Sequence, residues 1–216
     1  KTQLEGLAVS TTVDLADVTI VTGFAAETID EYLIAAGSSA RTLWNDRFAE
    51  LNNWFSLLLA LRHAPTLGAD ERFAVLNSDL FGPPSWYAAY LDSDLPESGA
   101  SIAVDVARGL TDESMKVAVQ PGTRFLEAIG KVGIDKPVGE YVGMLMFDER
   151  NRQLLQSVLD SFVGDPARVS EWYEGGVRDT VPFGAQWSVW STPDGDWVEI
   201  DDVTDLESAS RMAAAW

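Results

Sequence analysis

Five consecutive β-branched residues, Val18-Thr19-Ile20-Val21-Thr22, closed by Gly23, constrain the fold more than any other stretch. Such residues are stiff at χ1, suit a pleated strand and are poor in a helix. A continuous run, rather than an alternating one, marks a strand covered on both faces, as in a parallel sheet. Residues 25–34 then read as a helix, with Ile29, Leu33 and Ile34 on one side. Residues 41–44 form a short strand ending at Asn45. The helix over 52–62 is so apolar (Trp54, Phe55, Leu57, Leu58, Leu59, Leu61) that it must be buried nearly all round. A strand over 73–76 follows, and Pro83-Pro84 starts another helix. This alternation predicts an α/β fold, with helices flanking a doubly wound sheet joined by right-handed crossovers.

The second half is richer in strands, over 101–106, 115–119, 125–129 and 141–147, with Pro121-Gly122 as a hairpin signal. Helices are expected over 149–163, 170–178 and 206–215, and strands over 186–191 and 197–200. A short amphipathic helix over 2–8 opens the chain without a cap. No repeat, low-complexity tract or linker divides the chain, so residues 1–216 read as one mixed α/β domain.

Charge removes several classes of function. With 34 acidic and 15 basic residues the net charge is −19, which opposes both a nucleic-acid surface and an anionic membrane. The absence of Cys removes disulfides and zinc-thiolate sites. The one histidine, His63, sits at a helix end, where it suits the helix dipole. No apolar run is long enough to span a membrane and no signal peptide is visible, so a cytoplasmic location is expected.

Two carboxylate-bearing segments stand out: Asn77-Ser78-Asp79 after the strand over 73–76, and Glu199-Ile200-Asp201 before the last helix. Ligands of open α/β sheets bind beyond the carboxyl ends of the strands. Asp79 and Asp201 there would suit a hard divalent cation. Taken singly, Asp79 would also suit a turn and Asp201 a helix cap.

Several pieces read together in order. They are Val21-Thr22-Gly23-Phe24, Asn45 with Asn52-Asn53-Trp54-Phe55-Ser56-Leu57, and Leu76-Asn77-Ser78-Asp79. Met115-Lys116-Val117, Ile129-Gly130-Lys131, Gly139-Glu140-Tyr141-Val142-Gly143 and Trp197-Val198-Glu199-Ile200-Asp201-Asp202 complete the set. Over nearly the whole chain this set resembles the bacterial nucleotidyltransferases with a Rossmann-like, GT-A-like fold. It is most similar to the CTP-using branch acting on phosphocholine, inositol phosphate or small phosphonates. The resemblance implies attack of a phosphate or phosphonate oxygen on the α-phosphorus of CTP, with release of pyrophosphate. It implies Asp79 and Asp201 as ligands of Mg²⁺. It places Lys116 and Lys131 at acceptor or triphosphate oxygens, and Asn53 and Ser56 at the nucleotide or acceptor. Glu140, Glu171 and Tyr173 would receive an amine or hydroxyl at the acceptor's far end. The residues themselves also admit plainer roles. Asn52 and Asn53 would cap a helix, both lysines would sit in solvent, and Trp172-Tyr173 would pack in a core.

The chain departs from the family at its most diagnostic element, a Gly-rich, Arg-bearing triphosphate loop after the first strand. Ala35-Ala36-Gly37-Ser38-Ser39-Ala40-Arg41 looks like it but follows a helix, so it reads as a connecting loop. The expectation is a domain without its first strand and that loop, binding CTP poorly as it stands. The resemblance also implies that a domain can be fused upstream. Two rival functions remain: a sugar-1-phosphate nucleotidyltransferase, and a non-catalytic nucleotidyltransferase-like binding domain.

Overall fold

In the computed structural model, residues 3–215 are described, and they carry seven α-helices and ten strands. The chain folds into two compact units, each assembled from separated stretches. That interleaving is why the sequence shows no linker. Chain topology is mixed α/β, with helices on the sheets, as the sequence predicts.

The first unit comprises residues 1–13, 74–146 and 187–216. Its main sheet runs β7 (Leu126–Gly130), β6 (Lys116–Val119), β8 (Gly139–Phe147), β5 (Ala100–Asp105) and β9 (Ser188–Ser191), with β3 (Phe73–Leu76) also paired to β8. β5 and β9 are parallel, from Ser101 opposite Ser188 to Val104 opposite Ser191. β6 pairs antiparallel with both β7 and β8. The β6–β7 turn uses Gly122 at φ 72°, the left-handed conformation the Pro121-Gly122 signal requires. β5 is buried at every residue, and β8 at every residue but Glu140, so both are strands covered on their two faces. A separate two-residue ladder joins β4 (Leu80–Phe81) to β10 (Val198–Glu199). β4 is too short to show any period, and the sequence does not announce it.

Three helices belong to this unit: α1 (Gln3–Leu7), α4 (Pro84–Leu91) and α7 (Val203–Ala215). The expected start of α1 at Thr2 lies outside the described residues. α7 begins earlier than position 206 because Asp202 Oδ1 accepts the Thr204 and Asp205 N–H groups at 2.7 and 3.0 Å. Capping is thus done by Asp202 and not by Asp201.

The second unit comprises residues 14–73 and 147–186. Its strands β1 (Thr19–Thr22) and β2 (Arg41–Trp44) are parallel and joined through α2 (Ala26–Ala36). Gly37 at φ 62° ends α2, with Ser38 N–H bonded to the Leu33 carbonyl, so residues 35–41 are a helix stop leading into β2. α3 (Asn53–His63) packs with α5 (Glu149–Phe162) and α6 (Tyr173–Thr180). Trp54, Leu58 and Leu61 of α3 are at most 1% exposed, and Phe55 and Leu57 are buried beside them. Leu59 and Ala60 are half-buried and Arg62 and His63 exposed, so the helix buries one broad face and not the whole girth expected from sequence. His63 Nδ1 lies 2.8 Å from the Leu59 carbonyl in the last turn, in keeping with a helix-end role. α6 starts at Tyr173 and not at position 170, because Asn53 Oδ1 takes the Tyr173 N–H at 2.9 Å.

Arg152 is a buried charge of this unit. Its Nε and Nη2 donate to Glu149 at 2.7 Å each, and Nη1 reaches the Leu61 carbonyl at 2.8 Å. The Arg152 hydrogen bond holds the Glu149 carboxyl down at about 2. A carboxylate depressed in the fold contributes stability above its unfolded pKa and loses it as pH falls through the folded one. Stability should therefore decline between about pH 4.5 and pH 2, and an Arg152→Met variant should show a shallower decline in that window in urea titrations. Trp54 meets Phe55 and Phe162 edge-on at 5.5 and 5.6 Å. Trp54→Ala should cost about 3–5 kcal/mol in chemical denaturation. Trp54→Phe should cost less than half of that, because the buried indole Nε1 has no hydrogen-bond partner to lose among the described residues.

Candidate functional site

β3 ends at Leu76, and the chain turns through Asn77-Ser78-Asp79 into β4. The Asn77 N–H donates to the Gly143 carbonyl at 2.8 Å, anchoring the turn to β8. Gly143 sits at φ 82°, and a Cβ there would lie 2.8 Å from the Asn77 side chain, so both conformation and space demand glycine. The β4–β10 ladder sets Glu199 opposite Leu80, and the Ile200 N–H extends it to the Asp79 carbonyl at 2.9 Å. Residues more than a hundred positions apart thereby become neighbours. Asp79 and Asp201 come to share one end of this ladder.

Their electrostatics reflect the closeness. Burial, then the Asp201 carboxylate, push the Asp79 carboxyl up against the pull of its backbone hydrogen bonds. Asp79 Oδ1 is fully buried and has no hydrogen-bond partner among the described residues. Burial, followed by Asp79, Asp201 and Glu140, pushes Glu199 up to about 7, with Lys131 opposing. The Glu199 side chain still reaches solvent, so the carboxylates around it matter more than burial alone suggests. Asp79, Asp201, Glu199, Glu140 and Lys131 therefore form one cluster, rich in negative charge. Glu199 belongs in it as a member that a motif reading passes over, and its neighbour Asp201 was the signal.

Among the described residues no group of three or more Asp, Glu, His or Cys side chains is arranged to hold a metal ion. Two carboxylates with one orphaned, buried oxygen nevertheless fit Mg²⁺, which takes one or two protein carboxylates and completes its shell with phosphate and water oxygens. Asp79 and Asp201 are the residues that could hold it.

The other expected residues have defined places. Lys116 stands opposite Glu140 and Gly130 in the β-ladders. Its Nζ donates to the Lys131 carbonyl at 2.8 Å and, at 3.4 Å, to those of Asp112 and Ser114. Lys131 pairs with Glu113 at 3.0 Å. In the second unit, Asn52 caps α3 by accepting the Asn53 N–H at 2.7 Å, and Asn53 serves α6 as described. Ser56 Oγ accepts from the buried Asn45 amide at 3.0 Å. Glu171 accepts from Arg168 at 3.1 Å and Arg178 at 3.4 Å, and Asp179 binds the same two arginines at 2.8 Å each. Tyr173 is 3% exposed, so its ring packs in the core.

Asp105, at the end of β5, is also built in. Its Oδ2 accepts the Trp197 Nε1–H at 2.8 Å, and its Oδ1 accepts the Ala107 and Arg108 N–H groups at 2.9 and 3.0 Å. Burial works against its charge, but these bonds together hold its carboxyl low. The Arg108 guanidinium lies over the Trp197 ring, 4.6 Å from its centre. Trp197 leads directly into β10, so Asp105 and Arg108 steady the strand that carries Glu199.

A clustered, partly buried set of like charges costs stability in the absence of a counter-ion. Asp79→Asn should raise stability by roughly 0.5–2 kcal/mol in denaturant titrations without added metal, and Mg²⁺ should stabilise the wild type but not the variant.

No protein-family model and no curated protein matches the chain. Solved structures do. The inositol-1-phosphate CTP transferase from T. maritima superposes with a TM-score of 0.72 at 20% identity, over 90% of this chain and 75% of that one. The CTP:phosphocholine cytidylyltransferase from Streptococcus pneumoniae gives 0.69 at 18% identity, over 98% of this chain and 83% of that one. A UDP-glucose pyrophosphorylase complexed with UDP-glucose gives 0.64 at 12% identity, over 91% and 80%. The chain thus has the mixed α/β fold of these nucleotidyltransferases, as its ordered motifs lead one to expect.

Proposed function

We propose that the protein is a Mg²⁺-dependent cytidylyltransferase. It would transfer CMP from CTP to a small phosphorylated or phosphonylated alcohol, similar to phosphocholine or to hydroxyethyl- or aminoethylphosphonate, in the cytoplasm. The observation that carries this reading is the orphaned, buried Asp79 Oδ1 beside Asp201, at the carboxyl end of a strand. The likeness to two CTP-using transferases supports the choice of nucleotide and of a phosphorylated acceptor.

An acceptor oxygen forms its bond to the α-phosphorus of CTP as the bond to the bridging oxygen of pyrophosphate breaks. The acceptor anion is already nucleophilic at neutral pH, so the protein's task is positioning and charge neutralisation. A bound Mg²⁺ would supply positive charge to phosphate oxygens beside Asp79 and Asp201. Lys131 brings a cation to the same cluster, and Lys116 holds the Lys131 backbone by its 2.8 Å bond to that carbonyl. Glu140 offers a carboxylate for an acceptor amine or hydroxyl. On the resemblance, Asn53, Ser56, Glu171 and Tyr173 are the proposed nucleotide and acceptor contacts of the second unit.

The test is pyrophosphate release by the natural full-length protein with CTP and Mg²⁺, across phosphocholine, both phosphonates and inositol phosphate. Turnover with one acceptor should fall about a hundredfold or more in Asp79→Ala and in Asp201→Ala. The likeness to UDP-glucose pyrophosphorylase favours a second reading, a sugar-1-phosphate nucleotidyltransferase. Turnover of a hexose 1-phosphate with UTP or dTTP, and none with the panel above, would replace the first reading with that one. CTP binding without turnover on any acceptor would leave a binding domain.

A further inference from the structure

We propose that Gln3 is a positioning residue for Asp79, acting through the backbone of the turn and not through the ligand. The role rests on the reading of Asp79 as a cation ligand. Gln3 Nε2 donates to the Asn77 carbonyl at 2.7 Å and to the Leu80 carbonyl at 3.3 Å, so one amide bridges the residues flanking Ser78 and Asp79. The Leu80 N–H closes the same turn onto the Asn77 carbonyl at 3.3 Å. The Tyr87 hydroxyl adds a second brace, donating to the Leu80 carbonyl at 3.1 Å and accepting from the Gly82 N–H at 3.2 Å. The Asp79 carbonyl is itself held by the Ile200 N–H. Every side of the turn is thus tied, while Asp79 Oδ1 is left without a partner among the described residues.

Gln3 reaches this place because α1 is docked, since five residues are too few for a helix to persist alone. Gly6 lies flat on the Tyr87 ring, where a Cβ would come within 2.8 Å of it. Leu7 is 5% exposed. Beyond the helix, Ser10 Oγ and Thr12 Oγ1 donate to Asp92 at 2.6 and 2.9 Å, and the Ser10 bond holds that carboxyl well below the usual range. α4 supplies Tyr87 directly, and the Asp92 that ends it fixes the segment after α1. One helix thereby sets both braces on the turn. Loss of the Gln3 amide leaves the Asn77 carbonyl to the Leu80 N–H alone and the Leu80 carbonyl to the Tyr87 hydroxyl alone, and frees the Asp79 side chain to sample further orientations. By linkage, a cation on Asp79 tightens the same turn.

The experiment is amide hydrogen exchange by NMR on the wild type and on Gln3→Met, which keeps length and apolar packing but removes the donor. The Leu80 and Ile200 amides should exchange roughly five- to tenfold faster in the variant while the amides of β5 keep their rates. Unchanged Leu80 and Ile200 rates, or equal acceleration throughout β5, would overturn the proposal. Tyr87→Phe repeats the comparison through the other brace should Gln3→Met fail to fold. Mn²⁺ affinity, read by electron paramagnetic resonance without nucleotide, should weaken about fivefold in Gln3→Met. Wild-type Mn²⁺ binding that is lost in Asp79→Asn but intact in Gln3→Met would overturn the role of Gln3 alone. Faster local exchange with no Mn²⁺ affinity in the wild type would uphold the brace and remove the metal reading.

Discussion

The β4–β10 ladder, two residues long, is the contact on which the candidate site depends. It binds Leu80-Phe81 to Val198-Glu199 and, through the Ile200 N–H, reaches the Asp79 carbonyl. It does so against electrostatic resistance, because it gathers Asp79, Glu199 and Asp201 at one place in a chain of net charge −19. Few backbone bonds resist that repulsion, so the ladder needs help from its flanks. Trp197, fixed by Asp105 and covered by Arg108, steadies one side. Gln3 and Tyr87 brace the other. The carboxylates are held together by the groups around them, the preorganisation that the proposed cation site requires.

The second unit uses polar side chains differently, as joints of the fold. Asn53 sits in the first turn of α3 and caps the start of α6. Asn45, buried at the end of β2, ties to Ser56 of α3. Glu171 and Asp179 share Arg168 and Arg178 in a four-member ion network around the start and end of α6. A network of this kind rewards its geometry only when all members are present, so these residues are constrained by folding whatever else they contact.

Much of this was legible in the chain. The β-branched run over 18–22 became β1. Only its Thr22 is buried, because β1 pairs with β2 alone, against the cover on both faces that the run led one to expect. The apolar stretch after Asn52 became α3. Pro121-Gly122 made its hairpin, and residues 35–41 proved to be a helix stop. Asp79 and Asp201 stood out because each follows a strand-like run, and the structure sets them in one cluster. The two-residue β4 stayed hidden, since two residues show no period. The starts of α6 and α7 were misplaced because distant or local capping bonds from Asn53 and Asp202 decide them. Glu199 was visible only as part of a motif. Its membership in the cluster depends on which residue lies across the ladder.

Local stereochemistry and the periodicity of apolar residues are carried within each segment of the chain. They were enough to specify most strands and helices and the apolar character of α3. Three pairings needed the folded molecule: Gln3 bridging the turn of Asp79, Asp105 holding Trp197, and Lys116 spent on backbone carbonyls. Such pairings join groups up to 92 positions apart. A hydrogen bond depends on distance and direction in space, which no spacing along the chain records.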